Sequence, residues 1–215
     1  MTDQVTEIIK RTGCRVIYLM SGDVMTLPLM LFKLSPLRVG QELDPVAYRQ
    51  GLAPKEAGLA LEQAGRMLMT RDRTEAEIRK RLLEVGYGQE AVEQTLTRLT
   101  QARLVDDARY LKNYISMKIK KVGAGRIRRE LMLKGIPAEE IAMALAETGT
   151  DAQLETAVKH AKKALAKKGD DQRHIERLAF AALARRGFAP DIAKKALAQA
   201  RLSLLEQEEA DGFPG

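Results

Sequence analysis

The chain has 215 residues, 45% of them apolar and 30% charged, with a formal net charge of +7. That length and balance suit a soluble globular protein of one or two domains with a proper core. A single cysteine excludes an internal disulfide framework and fits a reducing cytoplasm.

The first fifty residues differ from the rest. Asp3 and Glu7 interrupt any signal-peptide pattern, and the apolar stretch from Val24 to Leu34 is too short to span a bilayer and contains Lys33. A cytoplasmic protein, with no membrane partner and monomeric, is the expectation. Val5 to Ile9, Cys14 to Met20 and Val24 to Leu27 are β-branched and partly alternating, broken by Thr12-Gly13 and Ser21-Gly22-Asp23. This predicts a small antiparallel hairpin or meander over residues 1–53, followed by a short helix from Pro28 to Leu34. So few strands are not stable alone, so the lobe should pack on the helices behind it.

From Pro54 the period becomes helical. Ala57, Leu61, Ala64 and Leu68 form one apolar stripe, and Thr74 with Glu77 reads as a capping box. Ile78 and Leu82 face inward, and a further helix from Gln89 buries Val92, Leu96 and Leu99. Asp106 or Asp107 caps the next helix, whose stripe is Ala108, Leu111, Ile115 and Val122. Gly123 to Glu140 then carries a basic helical run, with Ile127 and Leu131 on one face and Arg126, Arg128 and Arg129 on the opposite arc.

Three segments repeat. Gly86, Gly135 and Gly187 each end a helix, with Ile78/Leu82, Ile127/Leu131 and Ala179/Leu183 eight and four residues before them. Tyr87, Ile136 and Phe188 follow directly, and Leu96, Leu145 and Leu197 lie ten residues on. The recurrence predicts a mainly α fold: three tandem three-helix repeats (54–104, 105–149 and 150–203) in an elongated, curved array behind the small antiparallel β lobe. The third repeat includes an Ala/Lys-rich helix with Lys162, Lys163, Lys167 and Lys168, and residues 204–215 read as an acidic, frayed tail.

No catalytic or cofactor pattern accompanies these helices. His160, His174 and Cys14 do not have zinc-ligand spacing, and no phosphate-binding loop is present. Gly123-Ala-Gly125 follows a helix rather than a strand, so it reads as a helix break and restart. Asp106-Asp107 precede an apolar-periodic run, where capping outweighs catalysis. Neither an enzyme nor a metal or other cofactor is expected.

Three motifs together resemble a known family. They are Arg71-Asp-Arg73-Thr74 with Glu77-Ile78 and Leu82…Gly86; Leu104-Val-Asp106-Asp107 with Arg109-Tyr110; and Gly125-Arg-Ile-Arg-Arg-Glu-Leu131 before Lys134-Gly-Ile136. In this order and spacing, across roughly residues 54–200, they look like RecX, the bacterial regulator of the RecA recombinase. The N-terminal stretch that ends in Leu37 to Leu43 resembles the β-rich extension of some members. The resemblance implies a non-enzymatic protein of three three-helix repeats that binds RecA and its DNA filament. It also implies inhibition of the ATPase, strand-exchange and co-protease activities in recombination, DNA repair and the SOS response, with DNA binding in some members. A departure is the alanine-rich third repeat.

Basic residues are the candidate contacts. Net positive charge is concentrated after residue 107, with nine basic and five acidic side chains in 107–150 and twelve and six in 151–203. Arg71 and Arg73 precede a capped helix. Lys118, Lys120 and Lys121 end another, where they also complement its dipole. Arg126, Arg128 and Arg129 open a helix, where the dipole disfavours cations, and arginine suits bidentate contact with carboxylate or phosphate. Lys134 completes the set, with the partner an acidic protein surface, nucleic acid, or both. The alternative to a RecA regulator is a helical repeat protein acting directly on DNA; a general helical scaffold is the third reading.

Overall fold

β-branched residues pair at the N-terminus as their pattern predicts. In the computed structural model, which describes residues 2–166 and 171–211, β1 (Asp3–Arg11), β2 (Cys14–Leu19) and β3 (Val24–Pro28) form an antiparallel meander. Ile8 stands opposite Ile17, and Cys14 opposite Pro28. β4 (Glu42–Leu43), too short to be read from the sequence, pairs with β1 and completes the order β3-β2-β1-β4. Between β3 and β4 lies the short α1 (Leu29–Leu34).

Helical structure begins earlier than the periodicity places it. α2 spans Pro45–Thr70, with Pro54 inside it. The start signal is Asp44-Pro45: the Asp44 carboxylate accepts from the N–H groups of Val46 and Ala47, both at 3.0 Å, and Pro45 has no N–H to satisfy. Pro54 therefore removes one internal hydrogen bond instead of opening the helix. The buried stripe is Leu52, Glu56, Ala60, Ala64 and Met67, while Ala57, Leu61 and Leu68 are half-buried. α2 packs against α1 and also against α3 (Glu75–Glu84) and α4 (Gln89–Gln101), which makes its contact arc broad.

The chain divides into two compact units, Met1–Asp107 and Ala108–Gly215. In the first, the sheet and α1–α4 share one core, where Val5, Ile17, Leu27 and Leu31 join Ala60, Ile78, Leu82, Val92 and Leu99. The predicted docking of the β lobe is therefore intimate. Cys14 is buried in it. The Thr74–Glu77 capping box forms with both reciprocal bonds. Asp107 also serves α3, its carboxylate accepting from the Glu75 N–H at 2.9 Å.

The second unit contains most of α5 (Asp107–Lys118), then α6 (Ala124–Met132), α7 (Ala138–Glu147), α8 (Thr150–Leu165), α9 (Gln172–Arg185) and α10 (Pro190–Asp211). Leu111, Ile115, Ile119, Ile127, Leu131, Ile136 and Ile141 form the α5–α7 core. Ala108, assigned by sequence to that stripe, is exposed; Ile119 is buried in its place, one turn beyond Ile115. The α8–α10 core is built on Ala157, Ala161, Ala193, Ala196 and Ala200 around Leu183 and Phe188. Lys167, Lys168 and residues 212–215 lie outside the described residues, and α10 continues to Asp211 through the start of the stretch read as a tail.

All three repeat glycines adopt left-handed conformations, with φ of +98° at Gly86, +82° at Gly135 and +88° at Gly187. Each ends its helix in the same way. The N–H of Tyr87 donates to Leu82 O at 3.1 Å, that of Ile136 to Leu131 O at 3.2 Å, and that of Phe188 to Leu183 O at 3.2 Å. The six side chains in these bonds are all buried. Six residues after each glycine, Val92, Ile141 and Ala193 are fully buried, a repeat position more constant than the one ten residues on, where Leu145 and Leu197 are only half-buried.

Candidate partner-binding surface

Arg71 and Arg73 sit at the α2–α3 junction. The Arg71 guanidinium donates to both Glu77 carboxylate oxygens, at 3.0 and 3.2 Å, and Glu77 also accepts from the Thr74 N–H. Arg73 Nε donates to Met67 O at 3.3 Å, in the last turn of α2. Both arginines brace the capped start of α3, and Arg71 remains about half exposed.

In the second unit the predicted cations divide into groups. Tyr110 and Tyr114, one turn apart on α5, stack with ring centroids 6.0 Å apart. Lys134 Nζ lies 5.5 and 5.9 Å from the Tyr110 and Tyr114 ring centroids, and Lys118 Nζ lies 5.4 Å from that of Tyr114. The Tyr114 hydroxyl donates to Glu130 at 2.5 Å, Arg126 Nε donates to the same carboxylate at 2.9 Å, and Lys118 pairs with it at 3.3 Å. The Tyr114 hydroxyl, with help from Arg126 and then Lys118, holds the Glu130 carboxyl down at about 2. Burial, followed by the adjoining carboxylate, raises Tyr114. Glu130 thus pairs with two of the predicted cations.

The three arginines of α6 are all exposed but differ in their pairing. Arg126 turns to Glu130, while Arg128 and Arg129 are exposed, with no hydrogen bond or ion pair among the described residues. The helix is only nine residues long, so Arg129 already lies in its last turn, where the dipole favours it. Lys120 and Lys121 are exposed just past the end of α5, and Lys121 O meets His160 Nε2 at 2.9 Å.

Gly123-Ala-Gly125 has a role the sequence does not disclose. The Gly123 N–H donates to Arg186 O at 3.0 Å and the Gly125 N–H to Gly187 O at 2.9 Å. The Ala124 N–H is held by the buried Gln153 Oε1 at 2.9 Å. A Cβ on Gly123 would lie 2.2 Å from Gly187 C, so the close backbone approach requires glycine. The end of α9 and a side chain of α8 thereby cap α6. Tyr114, Glu130 and Gln153 are the residues sequence reasoning misses. The Arg126–Glu130 spacing of four was a usable signal for one of them.

Among the described residues no three His, Cys, Asp or Glu side chains cluster as metal ligands, and no helix is long and apolar enough to cross a membrane. Two family profiles match the chain, described as RecX, first three-helix domain, over residues 60–99 and RecX, second three-helix domain, over residues 106–145. The regulatory protein RecX of Bacillus pumilus is 30% identical over 183 residues, covering 82% of this chain and 68% of the relative. The chain belongs to the RecX family. The RecX regulatory protein of Bacillus licheniformis is 32% identical over 75% of this chain, and the match spans 62% of that relative's length. A crystal structure of a regulatory protein RecX, 28% identical, aligns over 89% of this chain and 97% of its own with a TM-score of 0.59. Arg71 and Arg73 fall within the first RecX domain, and the cations from Lys118 to Lys134 within the second.

Proposed function

We propose that this chain binds RecA and its filament on DNA and inhibits ATP hydrolysis, strand exchange and co-protease activity. It would act so in the cytoplasm during recombination, DNA repair and the SOS response. Family membership supplies the regulatory role. The observation that carries a contact function is the unmatched pair Arg128 and Arg129, exposed on α6 without a carboxylate partner among the described residues. Cations held at a surface with no internal counter-charge favour an acidic partner. The purified protein should slow DNA-dependent ATP hydrolysis by RecA at or below stoichiometric ratios. Arg128→Ala/Arg129→Ala should raise the concentration for half-inhibition about tenfold, an equivalent of about 1.4 kcal/mol. Unchanged hydrolysis at a molar excess of the folded chain would sink this reading.

Direct DNA binding is the second reading, favoured by the stacked Tyr110 and Tyr114 with Lys118 and Lys134 over their rings. Aromatic pairs amid cations are the elements of single-strand binding. A salt titration of oligonucleotide binding without RecA checks it: this reading expects a steep decline of affinity with salt and a further loss in Tyr110→Ala.

A further inference from the structure

Arg128 and Arg129 border a concavity of about 780 Å³ built by α6–α10 of the second unit. Leu145, Ala146 and Ala189 are among its apolar lining residues. Gln153 also lines it and is 8% exposed. Its Oε1 is committed to the Ala124 N–H, which fixes the orientation of the amide, and its Nε2 has no hydrogen-bond partner among the described residues. The wall therefore holds a buried donor without a partner among the described residues, and the two guanidiniums beside it make no direct ion pair there.

We infer that this concavity binds a peptide segment in which carboxylate side chains alternate with aliphatic ones. Guanidiniums pair with carboxylates in bidentate geometry, and the apolar lining accepts aliphatic groups. A nucleic-acid strand fits less well. Phe188, the aromatic residue of the lining, is 4% exposed and offers no stacking face. The inference rests on the chain acting through protein contacts, as proposed above.

Fluorescence anisotropy of the full chain with fluorescein-labelled octapeptides of alternating Glu and Leu, their Lys–Leu counterparts and labelled oligo-dT tests it. The Glu–Leu peptide should bind, the Lys–Leu peptide should not, and Arg128→Ala/Arg129→Ala should weaken binding at least tenfold. Both side chains are exposed, so the variant should keep its thermal midpoint, and Lys112→Ala/Lys195→Ala, exposed cations outside the lining, should bind as the parent does. Absence of Glu–Leu binding, or equal binding by the double arginine variant, overturns the inference. Oligo-dT binding lost through the same two substitutions without peptide binding overturns it in favour of nucleic acid. Failure here leaves the RecA hydrolysis result standing, and a null hydrolysis result leaves peptide binding standing, so the two readings fail separately.

Discussion

At the scale of single residues, Glu130 organises the α5–α6 surface. Three donors from two helices converge on its carboxylate: Tyr114, Arg126 and Lys118. Its folded-state value of about 2 lies below the ordinary 4.5, so the interaction favours the folded protein fully above pH 4.5 and fades as pH falls toward 2. With the side chain a quarter exposed, solvent screening reduces the net effect to about 1–2 kcal/mol. Glu130→Gln should lower urea-unfolding stability by that amount at pH 7, and the difference from the parent should shrink progressively between pH 4.5 and pH 3. A constant difference across that range would show that packing, not charge, is at stake. Half of this cluster is legible in the chain, because Arg126 and Glu130 are four residues apart on one helix. Tyr114 and Lys118 belong to a preceding helix, and no local spacing reports a meeting across the intervening loop.

At the scale of elements, one helix-ending turn is used three times in different settings. At Gly86 a Cβ would meet Thr26 O of β3 at 2.4 Å, and at Gly187 it would meet the Arg126 N at 2.3 Å. Arg49 fastens the first of these, donating from Nη2 to Gly86 O at 2.5 Å and to the buried Glu56 at 2.8 Å. Glu56 in turn accepts from the Gly88 N–H at 2.7 Å. Gly149 also has a positive φ, of +74°, but nothing lies within 4 Å of its missing Cβ. Gly149→Ala should therefore cost about 1 kcal/mol of backbone strain. Gly187→Ala adds a backbone clash to the strain and should cost about 2–4 kcal/mol. Denaturant unfolding of the two variants checks the order, and equal losses would remove the packing argument. The spacing of Gly86, Gly135 and Gly187 made these turns visible in the sequence. The apolar period alone places the start of α2 at Pro54, whereas the helix begins at Asp44-Pro45, where a cap and a proline at the first helical position coincide.

At the scale of the whole molecule, the sequence carries the mainly helical class, the antiparallel N-terminal sheet and the RecX family. Periodicity and the glycine triplet suffice for those. It does not carry the sharing of one core by the sheet and α1–α4, nor the division of the arginine run between Glu130 and the concavity. Both depend on contacts between distant segments, and one sequence contains only the local half of such information. The start of α6 is another such contact, since Arg186, Gly187 and Gln153 satisfy the N–H groups of Gly123, Gly125 and Ala124. Amides in the first turn of a helix ordinarily trade their hydrogens with solvent quickly, because no preceding carbonyl shields them. Here those hydrogens should be slow, and their rate should report the opening of α8–α10 rather than fraying of α6. Hydrogen-exchange mass spectrometry on a peptide covering 123–126 would read this directly, with Gln153→Ala speeding exchange there before it alters the middle of α6. The late part of the chain would then act as a lock on the middle part, and the two would open together.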